Sequence, residues 1–147
     1  MIDQILKDAI EQPRLFLWCG ALDETKINEW IPPNRVQVPL DLRKLWSVTG
    51  GGEMFETETL LSPFASDPDY DINMRNEFYW KSGVDKTLLV FHIGTWISAI
   101  RDNTPHFISF KENEMENKMQ FESIDAWYCQ TLRKEYANRY DLKDLRW

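Results

Sequence analysis

The stretch that decides the fold is residues 38–55, which read VPLDLRKLWSVTGGGEMF. Pro39 fits the first turn of a helix, because the N–H groups of that turn have no intrahelical partner. Apolar side chains then recur at helical spacing on one face, ending at Thr49. They are Leu42, Leu45 and Trp46. Gly50, Gly51 and Gly52 can take the left-handed conformation that ends a helix, so the pattern predicts helix, sharp reversal and strand.

A glycine-rich loop can also bind phosphate, but in such sites a strand precedes the loop and a helix follows it. The order here is helix, glycines, strand, and no Gly-Lys-Ser or Gly-Lys-Thr follows. We therefore interpret Gly50–Gly52 as a structural hinge. A small-molecule pocket beside this turn, using Glu53 or Glu56, is a weaker alternative.

The periodicity upstream predicts a helix over residues 2–10 and a short helix near Thr25. Downstream, alternation from Glu53 to Leu61 predicts one strand whose wet face carries Glu56 and Glu58. Residues 62–71 are rich in Pro, Ser and Asp and predict a loop before a helix over 72–82, which Asp71 is placed to cap.

Three strand-like runs follow, at Thr87–Ile93, Thr95–Arg101 and His106–Phe110, and their close spacing predicts an antiparallel meander. Residues 111–120 are polar and predict a loop, and Ser123 is placed to cap a last helix. The order predicts an α+β domain spanning residues 1–147. Its antiparallel sheet of about four or more strands packs with the N-terminal and C-terminal helices.

Composition narrows the function. The chain has 147 residues, of which 43% are hydrophobic and 14% aromatic, and this excludes a disordered protein. A net charge of −7 argues against nucleic acid and anionic membranes as partners. No apolar run reaches the roughly 20 residues that cross a bilayer, and the first residues do not resemble a signal peptide. We expect a cytoplasmic protein.

The residues that usually carry chemistry do not form a site in the sequence. His92 and His106 could be neighbours across the meander, but no His-x-x-x-His or Cys-x-x-Cys pattern accompanies them. Cys19 and Cys129 lie among apolar residues and are expected to be buried free thiols. A carboxylate pair such as Glu56 and Glu58 is explained by a solvated strand face. We expect no catalytic residue, metal or cofactor.

The segment from Glu53 to Glu77 holds seven carboxylates against one base, Arg75. A region of one sign can steer a basic partner and fix its orientation, although it can also be a solvated face with no partner. Aromatic residues in the same region could anchor a partner or belong to the core. The predicted partner-binding residues are Glu53, Glu56, Glu58, Asp67, Asp69, Asp71, Glu77, Tyr70 and Trp80.

The module Val38-Pro39, Leu45-Trp46 and Thr49-Gly50-Gly51-Gly52 resembles the SUKH superfamily, which includes fungal cell-wall-assembly regulators and bacterial immunity proteins. Phe121-Glu122-Ser123-Ile124 stands where the last helix of that superfamily begins, so the resemblance covers roughly residues 20–135. Segment 62–87 departs from it, because it is longer and more helical than in compact members.

The resemblance implies a non-catalytic protein-binding module, and first of all an immunity protein that occludes a cognate toxin, often a basic nuclease. The acidic balance of this chain agrees with a basic toxin domain as partner. The resemblance also allows a regulatory scaffold of the cell-wall-assembly type. A small-molecule-binding domain is the third hypothesis.

Overall fold

The computed structural model describes residues 3–112 and 114–142. Within those ranges the chain forms an α+β fold with a seven-stranded antiparallel sheet, and neighbouring strands follow chain order from β1 to β7. The strands are β1 (Phe16–Trp18), β2 (Gly52–Met54), β3 (Glu58–Leu60), β4 (Leu89–Ile93), β5 (Ile97–Ile100), β6 (Phe107–Lys111) and β7 (Glu114–Phe121).

The helices are α1 (Asp3–Glu11), α2 (Glu24–Glu29), α3 (Leu40–Thr49), α4 (Ile72–Lys81) and α5 (Ile124–Tyr128). After α5 the chain continues through a π-helical turn (Cys129–Arg133) into a last α-helical turn (Lys134–Tyr136). Short 3-10 turns lie at Pro13–Leu15 and Pro68–Tyr70. In the part of the chain that is described, no helix combines the length and apolarity needed to cross a membrane.

The helix and hinge predicted around the glycines are confirmed. Pro39 is the N-cap of α3, and Gly50 ends the helix in the left-handed conformation with φ 72°. Gly51 and Gly52 keep positive φ values of 76° and 143° as the chain reverses into β2. Leu42, Leu45 and Trp46 are fully buried, as their spacing on one face of the helix requires.

Two other helix starts also follow the sequence. The Asp71 side chain accepts a hydrogen bond from the Asn73 N–H at the start of α4, at 2.9 Å. The Ser123 hydroxyl accepts one from the Ala126 N–H at the start of α5, at 3.1 Å. Each cap satisfies an N–H group that the first turn of a helix leaves without a partner.

The single strand expected from Glu53 to Leu61 is wrong. The chain turns back on itself after Met54, and β2 and β3 form a hairpin in which Met54 pairs with Glu58. Phe55 and Glu56 occupy the turn with positive φ values of 52° and 69°. The reason is packing: the Phe55 ring is fully buried and stacks on Tyr136 with ring centroids 4.7 Å apart.

The loop expected at residues 111–120 is also wrong, because Glu114–Phe121 forms β7 and pairs with β6. Two half-buried methionines, Met115 and Met119, pack on the core, while the polar residues between them are exposed. Charged side chains along an edge strand discourage pairing with other chains. The same charged residues give β7 the polar composition of a loop, which is why the strand was not predicted. The short edge strand β1 was not foreseen.

Helix α4 covers the part of β4 that β3 does not reach. The Asn76 side chain accepts a hydrogen bond from the Val90 N–H at 2.7 Å and donates to the Val90 carbonyl at 2.9 Å. The Trp80 indole N–H donates to the Leu88 carbonyl at 2.9 Å. Asn76 therefore takes the place of a neighbouring strand for Val90, and Trp80 shares the Leu88 carbonyl with the Asn34 amide, which donates to it at 3.1 Å.

Candidate functional site

The predicted partner-binding residues do not form one continuous surface. Glu53, Asp67 and Tyr70 lie close together beside the start of β2, and Asp69, Asp71 and Glu77 follow on the turn and helix beyond them. Glu56 stands at the tip of the β2–β3 hairpin, where the Tyr140 hydroxyl donates to it at 3.4 Å. Glu58 lies in the core, and Trp80 is held against β4.

The acidic turn from Asp67 to Asp71 is well ordered by its own side chains. The Asp67 carboxylate accepts a hydrogen bond from the Asp69 N–H at 2.9 Å, and Asp71 caps α4. Asp69 lies 3.9 Å from Arg75, but both side chains reach water, and such a pair contributes little. The carboxylates therefore hold the turn in place and still present negative charge to solvent.

Tyr70 connects this turn to β2. Its hydroxyl hydrogen-bonds the Glu53 carboxylate, and partial burial together with the neighbouring negative charge raises the pKa of Tyr70 to about 12. The phenol therefore stays protonated at physiological pH and donates a hydrogen bond to the Glu53 carboxylate. This contact fixes the acidic turn relative to the sheet.

Glu58 is fully buried, so its expected place on a wet face with Glu56 is wrong. Its carboxylate is 2.8 Å from His92 Nε2, and it accepts hydrogen bonds from the Tyr136 hydroxyl at 2.7 Å and the Thr95 N–H at 3.1 Å. Burial raises the pKa of Glu58, but the hydrogen bond and electrostatic attraction of His92, with hydrogen bonds from the Tyr136 hydroxyl and the Thr95 N–H, outweigh it and lower the pKa to about 2.

In this buried network a carboxylate, an imidazole and a hydroxyl are hydrogen-bonded in line, as in a catalytic triad. His92 Nδ1 lies 2.8 Å from Ser98 Oγ, and Glu58 lies on the other ring nitrogen. Ser98 Oγ also accepts a hydrogen bond from the Trp127 indole at 2.8 Å and lies 2.7 Å from Ser109 Oγ. Glu58, His92 and Ser98 are 0% exposed, so no substrate can reach the hydroxyl. Through the contact between Trp127 of α5 and Ser98 of β5, the network connects the C-terminal helix to the sheet.

A second buried cluster fixes α1 to the last helix. The Asp8 carboxylate accepts hydrogen bonds from the Tyr128 hydroxyl at 2.6 Å and from Arg133 Nε at 2.9 Å. Burial and the Asp8 charge raise the pKa of Tyr128. All three side chains are buried and bonded to one another, as charged groups in a core need to be.

The remaining candidates for chemistry lie apart. His106 Nδ1 is 3.0 Å from the carbonyl of Arg101, which follows the end of β5, whereas His92 contacts Ser98 near the start of β5, so the two histidines do not meet. Cys129 is a buried free thiol as expected, whereas Cys19 is free but exposed. Burial raises the pKa of Cys129 to about 12, and partial burial with the nearby Asp67 charge raises that of Cys19, which disfavours the reactive thiolate at both.

A shallow, open apolar groove that was not predicted from the sequence lies between α2 and the loop after β3. We call it the Phe64 groove, and it is defined by Lys26, Glu29, Trp30, Ile31 and Phe64. Ile31 is 65% exposed and Phe64 51% exposed, while Trp30 is half-buried against the core. The signal in the sequence was an isolated phenylalanine within a polar loop.

Trp46 holds the two sides of the Phe64 groove together. Its ring lies edge-on to Trp30, and its indole N–H donates to the Leu61 carbonyl at 2.8 Å, three residues before Phe64. Arg43 donates from Nη1 to the carbonyls of Ile27 and Trp30 at the end of α2. The walls are therefore fixed by buried or half-buried contacts.

The glycine hinge supports the same loop. The Ser62 hydroxyl donates to the Gly50 carbonyl at 2.7 Å, and the Ser62 N–H donates to the Tyr70 carbonyl at 3.0 Å. A Cβ atom on Gly51 would lie 2.7 Å from the Leu60 carbonyl oxygen. Backbone therefore fills the space at the hinge, which leaves no room there for a ligand.

Within residues 3–112 and 114–142, no group of three or more His, Cys, Asp or Glu side chains is arranged to hold a metal ion. Comparisons with protein-family models, with curated proteins and with solved structures found no match. The SUKH resemblance therefore remains a prediction from the quoted residues.

Proposed function

We propose that this protein is a non-catalytic, cytoplasmic protein-binding module of the SUKH type, and that it neutralises a basic toxin domain by occluding it. The observation that carries the proposal is the concentration of negative charge on the two segments that flank the Phe64 groove. Segments 23–31 and 62–71 hold six carboxylates and one lysine, a net charge of −5 out of −7 for the whole chain. We call these segments the acidic walls.

Charge arranged in this way attracts a partner of opposite sign. It speeds encounter with a basic surface, repels nucleic acid and anionic lipid, and fixes the orientation of the complex. Glu53 extends the negative region from the acidic walls onto the sheet through its contact with Tyr70. Glu56 and Glu58 do not contribute to it, because one lies at the hairpin tip and the other in the core.

A binding role is also favoured over catalysis by the accessibility of the ionisable groups. The Glu58–His92–Ser98 arrangement is sealed from solvent, and the Cys19 thiol near Asp67 has a raised pKa, which disfavours the reactive thiolate. Backbone atoms fill the glycine hinge itself, and a small-molecule pocket beside this turn, using Glu53 or Glu56, stays the weaker alternative.

The proposal is tested by co-expression with the products of neighbouring genes, followed by affinity purification and measurement of the dissociation constant at several salt concentrations. We expect a basic partner to bind the wild-type protein tightly and to bind more weakly as salt rises. Absence of binding to, and of protection against, every neighbouring toxin-like product would refute the immunity role.

A charge-neutral variant sharpens this test. Asp67→Asn, Asp69→Asn and Asp71→Asn together remove three charges, while an asparagine oxygen still accepts the two capping hydrogen bonds. We expect the triple variant to fold normally and to lose most of the salt dependence of binding. The matched control replaces Glu112, Glu114 and Glu116, three exposed carboxylates near β7, with glutamine.

A further inference from the structure

We infer that the Phe64 groove is the anchor site of this interface, and that it accepts an apolar side chain of the partner that is flanked by Lys or Arg. The inference rests on the proposed function and names the part of the surface that supplies most of the affinity. The acidic walls would steer and orient the partner, and the groove would hold it.

The first observation is exposure. Phe64 and Ile31 present large apolar surface to water side by side, and Trp30 lines the groove between them and the core. Exposed apolar clusters rimmed by polar residues mark interaction sites, and aromatic residues dominate the binding energy of interfaces. The groove has both features.

The second observation is backbone strain at Phe64, whose φ is 62°. A left-handed conformation is costly for a bulky residue and free for glycine. The Phe64 ring is half exposed, so burial in the fold does not compensate for this conformation as it does for Phe55. Phe64 lies in a turn directly after Pro63, and strained backbone of this kind often occurs at functional positions.

The third observation is rigidity. Trp46 links both walls, Arg43 holds the end of α2, and Ser62 fixes the loop to the glycine hinge. A surface that is already ordered loses little entropy when a partner binds, so more of the contact energy appears as affinity.

Charge decides between the candidate occupants. The acidic walls carry a net charge of −5, so a second copy of this chain would bring two surfaces of the same sign together. An anionic membrane is disfavoured for the same reason. At the groove itself Lys26 and Glu29 balance each other, so the other carboxylates of the acidic walls favour a basic protein segment with one exposed aliphatic or aromatic side chain.

The inference can be tested without the natural partner. The probes are three capped peptides, Lys-Lys-Leu-Lys-Lys, Lys-Lys-Ser-Lys-Lys and Glu-Glu-Leu-Glu-Glu, titrated into the nitrogen-15-labelled full chain and followed by amide chemical shifts. We expect the Lys/Leu peptide to shift the amides of Trp30, Ile31 and Phe64. The Ser peptide should bind at least about fivefold more weakly, and the acidic peptide should leave these amides unshifted.

Phe64→Gly removes the ring and also relieves the strained backbone. We expect its melting temperature to be equal to or above that of the wild type, while peptide binding at the groove is lost. Phe78→Ala is the matched control, because Phe78 is 60% exposed but lies on α4, and it should bind the peptide like the wild type. Ile31→Ser provides a second loss-of-binding variant.

Four results would overturn the inference. They are shifts centred outside the groove, equal binding of the Leu and Ser peptides, unchanged binding by Phe64→Gly, or unfolding of Phe64→Gly, which would make the ring a core residue. None of these results depends on a toxin. A natural partner that binds through the acidic walls and ignores Phe64 would therefore refute the anchor and leave the proposed function intact.

Discussion

The indole ring of Trp46 lies edge-on to that of Trp30, with ring centroids 5.7 Å apart and ring planes at 86°. Trp46 is fully buried in α3, and Trp30 lines the Phe64 groove. The same indole donates its N–H to the Leu61 carbonyl at 2.8 Å. One residue of the helix before the glycine hinge therefore supports both sides of the candidate binding surface.

Trp46→Phe should keep an aromatic ring and remove the N–H donor. The buried Leu61 carbonyl then loses its partner, which we expect to lower the free energy of unfolding by about 1–3 kcal/mol. Denaturation in urea measures the change, and Trp96→Phe, at a half-buried tryptophan elsewhere, is the control. Equal stability of Trp46→Phe and wild type would show that the hydrogen bond does not hold the wall.

Gly51→Ala should destabilise the fold in two ways, through the cost of a left-handed alanine and through a clash of its Cβ atom with nearby backbone. Gly51 has φ 76° and backbone close by, whereas Gly83 has φ 107° and nothing within 4 Å of a Cβ position. We expect Gly83→Ala to cost about 1 kcal/mol and Gly51→Ala to cost about 3 kcal/mol or more. Similar melting temperatures for the two variants would contradict the close packing of the hinge.

Asn76→Ala should leave the Val90 N–H and carbonyl without partners in the core. We expect a loss of about 2–4 kcal/mol in the free energy of unfolding, because two buried backbone groups become unsatisfied. Hydrogen exchange of the Val90 amide should accelerate along with it. Asn28→Ala, at an exposed asparagine on α2, serves as the control and should change neither quantity.

Glu58 should make stability depend on acid pH. Its pKa in the folded protein is lowered to about 2 from 4.5, so the charged form stabilises the fold above pH 4.5 and that stabilisation is lost as the pH falls toward 2. We expect the loss to be on the order of 2–3 kcal/mol. Thermal unfolding from pH 5 to about 2 measures it.

Two matched variants separate Glu58 from the other carboxylates. Glu58→Gln should lower stability at neutral pH, because it removes the carboxylate charge that lies against His92. It should also flatten the acid dependence, because glutamine has no carboxylate for acid to protonate. Glu56→Gln makes the same chemical change two residues away at the exposed hairpin tip and should follow the wild-type profile. An acid profile of Glu58→Gln that overlays the wild type would remove Glu58 as the source.

The sequence was most informative where local rules act alone. Pro39, the three glycines, Asp71 and Ser123 set helix ends through backbone geometry and capping, and those ends are where they were expected. The meander of β4, β5 and β6 followed from apolar runs separated by turn residues, and pairing in chain order agrees with that reading.

The errors arose where tertiary contacts override local pattern. The alternation around Glu58 has the period of a strand with a wet face, but the buried Phe55 stack reverses the chain and turns Glu58 toward His92. The Phe64 groove joins residues 26–31 to residue 64, so no local window could reveal it. The acidic composition predicts a basic partner, which the binding experiments test, whereas the arrangement of the carboxylates on the surface could be seen only in the fold.

The decisive measurement is the dissociation constant of the complex with a basic product of a neighbouring toxin-like gene. We expect tight binding by the wild type and by Phe78→Ala. We expect at least about tenfold weaker binding by Phe64→Gly, with the fold of that variant intact. No complex with any such product, or a complex that Phe64→Gly and the Asp67, Asp69 and Asp71 triple variant both leave unchanged, would contradict the proposed interface.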